Sequence, residues 1–233
     1  IGRCPVCGEW NTYVEEVVST KSVAGGRGEF GTMEQSKVRP QRIDDIQITE
    51  ESRIDLGNGE LNRVLGGGLV RGSLVLIGGE PGIGKSTLIL QTVLALKGQK
   101  ILYVSGEESA RQLKLRAERI GGNAPDCYIV CETSLEDIFV HIRNVAPDIV
   151  VIDSIQTIAT SAMESSPGSV GQVRECAASL LKFAKQTNTP VLLVGHINKE
   201  GSIAGPKVLE HIVDTVLQFE GDRHYLYLSL IHI

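Results

Sequence analysis

One stretch limits what this chain can fold into more than any other: Gly79-Glu80-Pro81-Gly82-Ile83-Gly84-Lys85-Ser86-Thr87. It follows the apolar run Ser73–Ile77 and opens into Leu88-Ile89-Leu90-Gln91-Thr92-Val93-Leu94-Ala95-Leu96. Strand, glycine-rich turn and helix in that order are the context a phosphate-binding P-loop requires. Gly79, Gly82 and Gly84 leave the backbone free to curl, so several N–H groups can face one anion-sized cavity. The start of the next helix adds unpaired N–H groups and the positive end of its dipole. Lys85 is placed to reach the β- and γ-phosphates, and the Ser86 hydroxyl to sit on Mg²⁺. A merely glycine-rich turn would need neither flank. The motif therefore implies nucleoside triphosphate binding, with ATP the expected nucleotide.

With 233 residues the chain accommodates one substantial α/β domain and a small appendage. Its net charge of −5 supplies no global basic field. Any nucleic-acid binding must come from local patches, repeated around an oligomer. Five scattered cysteines argue against a disulfide framework and for a reducing cytoplasm. No apolar run approaches the ~20 residues of a membrane span, and no signal segment is visible. The first residue is Ile1 rather than Met, which reads as a fragment.

Residues 1–18 carry Cys4-Pro5-Val6-Cys7-Gly8-Glu9-Trp10-Asn11, the turn of a zinc knuckle. Two thiolates there can approach one tetrahedral Zn²⁺, but zinc needs four ligands and no second pair lies nearby. Two readings stay open: half of a Cys4 ribbon whose other pair lies upstream, or an isolated thiol pair with redox chemistry. On the first, zinc binding by this chain would be weak. Cys127, Cys131 and Cys176 are expected to be small buried hydrophobes. Residues 19–42 lack apolar periodicity, are rich in Gly, Ser, Lys and Arg, and read as a flexible linker. An ATPase domain is expected over 43–233, opening with a short amphipathic helix within Leu56–Leu69 that ends in Gly66-Gly67-Gly68.

Beyond the P-loop, Lys100–Ser105 is a fully apolar strand of the kind found in a sheet covered on both faces. It ends in Gly106-Glu107-Glu108-Ser109, and a helix is expected from Ser109 to Ile120. Tyr128–Cys131 reads as a strand, and Ser134 as the cap of a helix through Val145. Asp148-Ile149-Val150-Val151-Ile152-Asp153 is an apolar strand with an acid at its carboxyl end. Downstream of a P-loop that is the Walker B arrangement, with Asp153 holding Mg²⁺ beside Ser86. A carboxylate beside the nucleotide can orient and deprotonate water; position favours Glu107 over Glu108. Both glutamates would also suit the start of a helix for its dipole alone. Thr157–Val170 is too polar for a core element and reads as a mobile functional loop. Ser169 caps the helix Val170–Gln186, placing Gln172 and Arg174 near its exposed start. The strand Pro190–Gly195 leads to His196, either a γ-phosphate sensor or a packed surface histidine, and to a second mobile loop ending at Lys207. Val213–Glu220 and Arg223–Leu228 are expected to pair as a hairpin across Gly221-Asp222.

Leu65–Leu69, Gly79–Thr87, Tyr103–Ser109, Gly195–Pro206 and the Cys4–Asn11 knuckle closely resemble the RadA (Sms) family of bacterial DNA-repair proteins, within the RecA-like ATPases. The resemblance runs from Cys4 to about Tyr225. It implies a RecA-like P-loop ATPase: an α/β fold with a mostly parallel central sheet flanked by helices, preceded by a partial zinc ribbon and a linker. It further implies a DNA-dependent ATPase of repair and homologous recombination that promotes branch migration beside RecA as a hexameric ring. Its DNA would be single-stranded or branched, and replicative helicase-type or recombination proteins would be further partners. By position, Glu107 matches the family's catalytic glutamate and His196 its sensor. Residues 155–170 and 199–206 match the DNA-facing loops. Arg174, Lys199 and Lys207 are candidates for phosphate contacts, or alternatively solvated surface charges. The family's Lys-Asn-Arg-Phe-Gly signature does not follow the hairpin, and Leu226–Ile233 does not continue the pattern. That departure predicts nucleotide binding with impaired DNA-coupled turnover.

Three other functions compete. Asn198-Lys199-Glu200-Gly201 resembles a guanine-recognition motif, but Gly201 has no carboxylate to accept the guanine N–H groups. A P-loop small-molecule kinase would need an arginine-rich lid, and no such segment flanks the Walker B strand. A RecA-like scaffold that uses ATP only to assemble would hydrolyse it hardly at all.

Overall fold

A computed structural model describes residues 42–45, 53–121, 126–196, 209–221 and 228–232. Cys4, Cys7, the expected linker up to position 41, Lys199 and Lys207 lie outside the described residues. The chain divides after Gln47. In the first unit Ile43–Asp45 form one turn of 3-10 helix, with Arg42 3.5 Å from Asp44.

The second unit is built on a seven-stranded sheet. Its strands are β1 (Leu74–Gly79), β2 (Ile101–Ser105), β3 (Cys127–Cys131), β4 (Ile149–Asp153), β5 (Val191–His196), β6 (Thr215–Gly221) and β7 (Leu228–His232). They lie in the order β3-β2-β4-β5-β1-β6-β7. All neighbours are parallel except β6 and β7, which pair antiparallel from Gly221 opposite Leu228. The expected hairpin across Gly221-Asp222 is corrected: β6 does pair antiparallel with a following strand, but Gly221 lies opposite Leu228 and that strand is Leu228–His232, starting where the sequence pattern ended it.

Strand residues alternate between two apolar layers. Val75, Ile77, Ile101, Tyr103, Ile149, Val151, Leu192 and Val194 face one core. Leu74, Leu76, Leu102, Val104, Val150, Ile152, Val191 and Leu193 face the other. The helices α1 (Gly59–Val64), α2 (Lys85–Ala95) and α3 (Ala110–Ile120) cover the first face through Leu61, Ile89, Leu90, Val93 and Leu113. On the second face α4 (Leu135–Val145) and α5 (Val170–Thr187) contribute Ile138, Ile142, Val173 and Leu180. Burial on both sides is why the strands read as continuous apolar runs rather than alternating ones.

Local chemistry sets the helix ends. Ser109, Ser134 and Ser169 each accept a backbone N–H in the first turn of α3, α4 and α5. Asn58 does the same for α1, which stops at Val64, short of the expected span, where the chain turns through the glycines at 66–68.

Two further expectations are corrected here. Cys176 is buried, but Cys127 is only partly so and Cys131 is exposed, because β3 is an edge strand. Gln172 is not at an exposed helix start: it is 2% exposed beneath the loop that precedes α5. Its Oε1 accepts the Thr160 N–H at 2.9 Å, and its amide donates to the carbonyls of Thr160, Met163 and Ser165 at 2.9–3.2 Å. Glu136 holds the same loop from α4, accepting from the Thr160 hydroxyl and from the backbone and hydroxyl of Ser161. Those bonds, led by that from Thr160, hold the Glu136 carboxyl down at about 2. The polar segment after β4 is thus a pinned loop with its own internal order.

Replacing Gln172 with Ala strands one N–H and three carbonyls that share a single buried partner. We expect a loss of about 2–3 kcal/mol in denaturant-unfolding stability, against a few tenths for Arg174→Ala on the exposed side of the same helix.

Candidate active site

Ligands of open α/β sheets bind outside the carboxyl ends of the strands. Here β2, β4 and β5 each end in a polar residue and β1 ends in the first glycine of the P-loop, and the parallel register brings these ends together. Gly79 lies opposite His196, and Ser105 opposite Asp153. The P-loop leaves β1 and enters α2 through Gly84, whose φ of 111° no side-chain-bearing residue adopts without strain. Gly79 is equally constrained: a Cβ there would fall 2.6 Å from the Phe219 carbonyl on β6. Pro81, Gly82 and Ile83 form the turn between Glu80 and Gly84.

Lys85, the first residue of α2, is 3% exposed. Its ammonium donates to the carbonyls of Gly79 and Glu80, both at 2.8 Å, and lies 3.3 Å from His196 Nδ1. An ammonium only donates, so Nδ1 is the acceptor in that pair, and Nε2 carries the N–H that meets Glu107 Oε1 at 3.1 Å. Burial lowers the Lys85 pKa, against the opposing charges of Asp153 and Glu107. Ser154 donates to the same Glu107 oxygen. Burial pushes the Glu107 carboxyl up, but the bonds from Ser154 and His196 and the nearby Lys85 charge outweigh it and hold it below its ordinary value. Lys85, His196, Glu107 and Ser154 therefore form one continuous chain across four strand ends.

The second cluster adjoins it. Ser86 Oγ donates to Asp153 Oδ1 at 3.0 Å, and the Tyr103 hydroxyl donates to Asp153 Oδ2 at 2.5 Å. A serine hydroxyl and a carboxylate are hard oxygen donors. They suit Mg²⁺, which takes one or two carboxylates together with substrate phosphates and keeps several waters. Among the described residues no group of three or more His, Cys, Asp or Glu could hold an ion by itself. Thr87 is exposed in the first turn of α2, and Arg174 is exposed on α5.

Glu107 and Glu108 have different partners. Glu108 is engaged by Arg116 of α3 at 2.5 Å, whereas Glu107 joins the Lys85–His196 chain. Sequence reasoning missed Tyr103, Ser154 and Arg116. Of these only Tyr103 carried a signal, as the one side chain with a hydroxyl inside an otherwise aliphatic strand core.

Residues 37–202 match the family model described as AAA domain. The chain belongs to this family. It is 53% identical over 229 residues to DNA repair protein RadA of Bacillus subtilis (strain 168), covering 97% of this chain and 50% of that protein. It is 52% identical over 230 residues to DNA repair protein RadA of Listeria monocytogenes serovar 1/2a, covering 97% and 49%. The chain thus spans about half the length of the curated relatives it matches. Among solved structures, a KaiC-like protein from Pyrococcus horikoshii OT3 aligns with a TM-score of 0.63 at 21% identity, covering 78% of this chain and 87% of that one. At that identity the likeness concerns the fold: a RecA-like α/β sheet with its helices on both faces. No described helix is long and apolar enough to cross a membrane.

Two outcomes follow from the geometry. Ser154→Ala removes a bond that lowers the Glu107 pKa, so the carboxyl should titrate at higher pH, closer to its ordinary 4.5, when followed by carbon NMR of the labelled side chain. In the parent protein the stabilisation from Glu107 is present above 4.5 and is lost as the pH falls through the lowered value. Gly106→Ala would place a Cβ 1.9 Å from Thr157 Oγ1. It should cost about 1–3 kcal/mol or more in thermal or denaturant unfolding.

Proposed function

We propose that this chain is the ATP-hydrolysing core of a DNA-repair protein. The single observation that carries this is the continuous chain Lys85–His196–Glu107–Ser154 beside the Ser86–Asp153 pair, at the mouth of a P-loop.

The P-loop N–H groups and the Lys85 ammonium hold the phosphates, with Lys85 exchanging part of its carbonyl contacts for phosphate oxygens. Ser86 and Asp153 hold Mg²⁺, whose charge, when bound, offsets that developing on the phosphates. Glu107, ionised and partly open to solvent, orients the attacking water and takes its proton. His196 touches both the lysine that meets the γ-phosphate and the glutamate that meets the water, which suits a sensor of phosphate occupancy. The relatives' names, DNA repair protein RadA, support DNA as the macromolecular ligand. We assign the loop 155–170 and the segment around 199–207 to the DNA-facing side of a ring of copies, hexameric by family resemblance. Arg174, Lys199 and Lys207 would meet phosphates without reading bases. Branch migration beside RecA, and a zinc ribbon completed upstream of Cys4 and Cys7, belong to the same proposal for the longer protein.

The test is a pair of substitutions scored for nucleotide binding and phosphate release. Lys85→Ala should abolish turnover. Glu107→Gln should keep ATP binding and lower hydrolysis by about 10²-fold or more. Normal hydrolysis by Glu107→Gln would remove Glu107 from the role of base. ATP-dependent assembly without hydrolysis by the parent would replace the enzyme with a scaffold.

A further inference from the structure

Tyr103 has no part in the chemistry described so far, and its position is unusual. It lies in the middle of β2, 0% exposed, in a core otherwise filled there by Ile101, Ile149, Val151 and Val194. A phenylalanine would fill the same space. A buried hydroxyl costs free energy unless it finds a partner, and the partner here is the acid at the end of β4.

The register explains how it reaches. Tyr103 pairs with Val151 and Ser105 with Asp153, so tyrosine and acid lie on one face of adjacent strands, two residues apart along them. The ring runs along the sheet and its hydroxyl meets Oδ2. Asp153 is itself 4% exposed. Its two oxygens are divided: Oδ1 takes the Ser86 hydroxyl and Oδ2 the Tyr103 hydroxyl. A carboxylate held at one oxygen still rotates about its last bond; a carboxylate held at both does not. In this pair the phenol O–H is the donor and the carboxylate the acceptor.

We propose that Tyr103 is a positioning residue: through Oδ2 it fixes the rotation of the Asp153 carboxylate, so that Oδ1 faces Ser86 and the Mg²⁺ of a bound nucleotide. This rests on the assignment of Ser86 and Asp153 as the metal-binding pair. It adds a partner behind the first set of ligands, where substitutions commonly cost 10–100-fold in metal affinity.

The experiment uses the whole chain and a fluorescent N-methylanthraniloyl ATP, titrated with Mg²⁺ and, separately, bound in excess EDTA. Tyr103→Phe deletes one oxygen and keeps the ring. Tyr103→Met fills the core with a different shape and also lacks the hydroxyl. Tyr128→Phe, on exposed β3, is the control. Both Tyr103 variants should need about tenfold more Mg²⁺ or higher for half-maximal tight binding. Their nucleotide affinity in EDTA should equal that of the parent, and the Tyr128 variant should match the parent throughout. An unchanged Mg²⁺ midpoint in either Tyr103 variant overturns the proposal. So does an equal loss with and without metal, which would make Tyr103 a core filler only. A parent chain with no Mg²⁺-dependent nucleotide binding would instead remove the metal pair, and the proposed function with it. That outcome is visible before any variant is compared.

Discussion

A buried cation must have acceptors, and the Lys85 ammonium organises the mouth of this sheet by that requirement. Two of its protons are taken by carbonyls of its own P-loop, which ties α2 back onto the end of β1. The third faces His196 on β5, and His196 in turn fixes Glu107 beyond β2, where Ser154 from the end of β4 also donates. A single charge thus draws groups from four strands into one hydrogen-bonded line. The order of strands matters because β5 lies between β1 and β4, so that His196 stands between the phosphate-binding loop and the acids.

Much of this was legible in the sequence, for physical reasons. Continuous apolar runs such as Ile149–Ile152 identify strands covered on both faces, and Ser134 and Ser169 mark helix starts because a short polar side chain there can reach back to a free N–H of the first turn. The P-loop and the Walker B acid declare themselves through their flanks. Other features depend on what lies across space. Gln172 reads as a surface residue on its helix, and becomes buried only because the backbone at 160–165 closes over it. Cys131 resembles a core cysteine until β3 is found at the sheet edge. Position alone favours Glu107 over Glu108, but the physical difference between them lies in Arg116 of α3, which engages Glu108. The tyrosine hydroxyl at 103 has no local partner at all; its acceptor comes from a strand 50 residues later.

The segment between β4 and α5 joins the site to the rest of the molecule. It begins at Ser154, beside Glu107, passes through the short 3-10 turn Ile155–Thr157, and is then held by Glu136 and Gln172 before entering α5. Its polar composition, which suggests mobility, serves instead to satisfy its own backbone against two side chains from neighbouring helices. The loop is also anchored by Ile155 and Ile158, both buried in the second apolar layer, so its shape is fixed from both ends.

Gly106 sets the tightest contact in that region. With no Cβ, it lets Thr157 lie directly against the turn that carries Glu107, while the Thr157 hydroxyl bonds back to the Ser154 carbonyl and the Gln156 amide reaches the carbonyl of His196 at 3.4 Å. The glutamate-bearing turn and the turn after β4 therefore behave as meshed gear teeth with no clearance between them: neither backbone can advance toward the other, and a displacement of Glu107 in that direction must be taken up by the loop beyond Thr157.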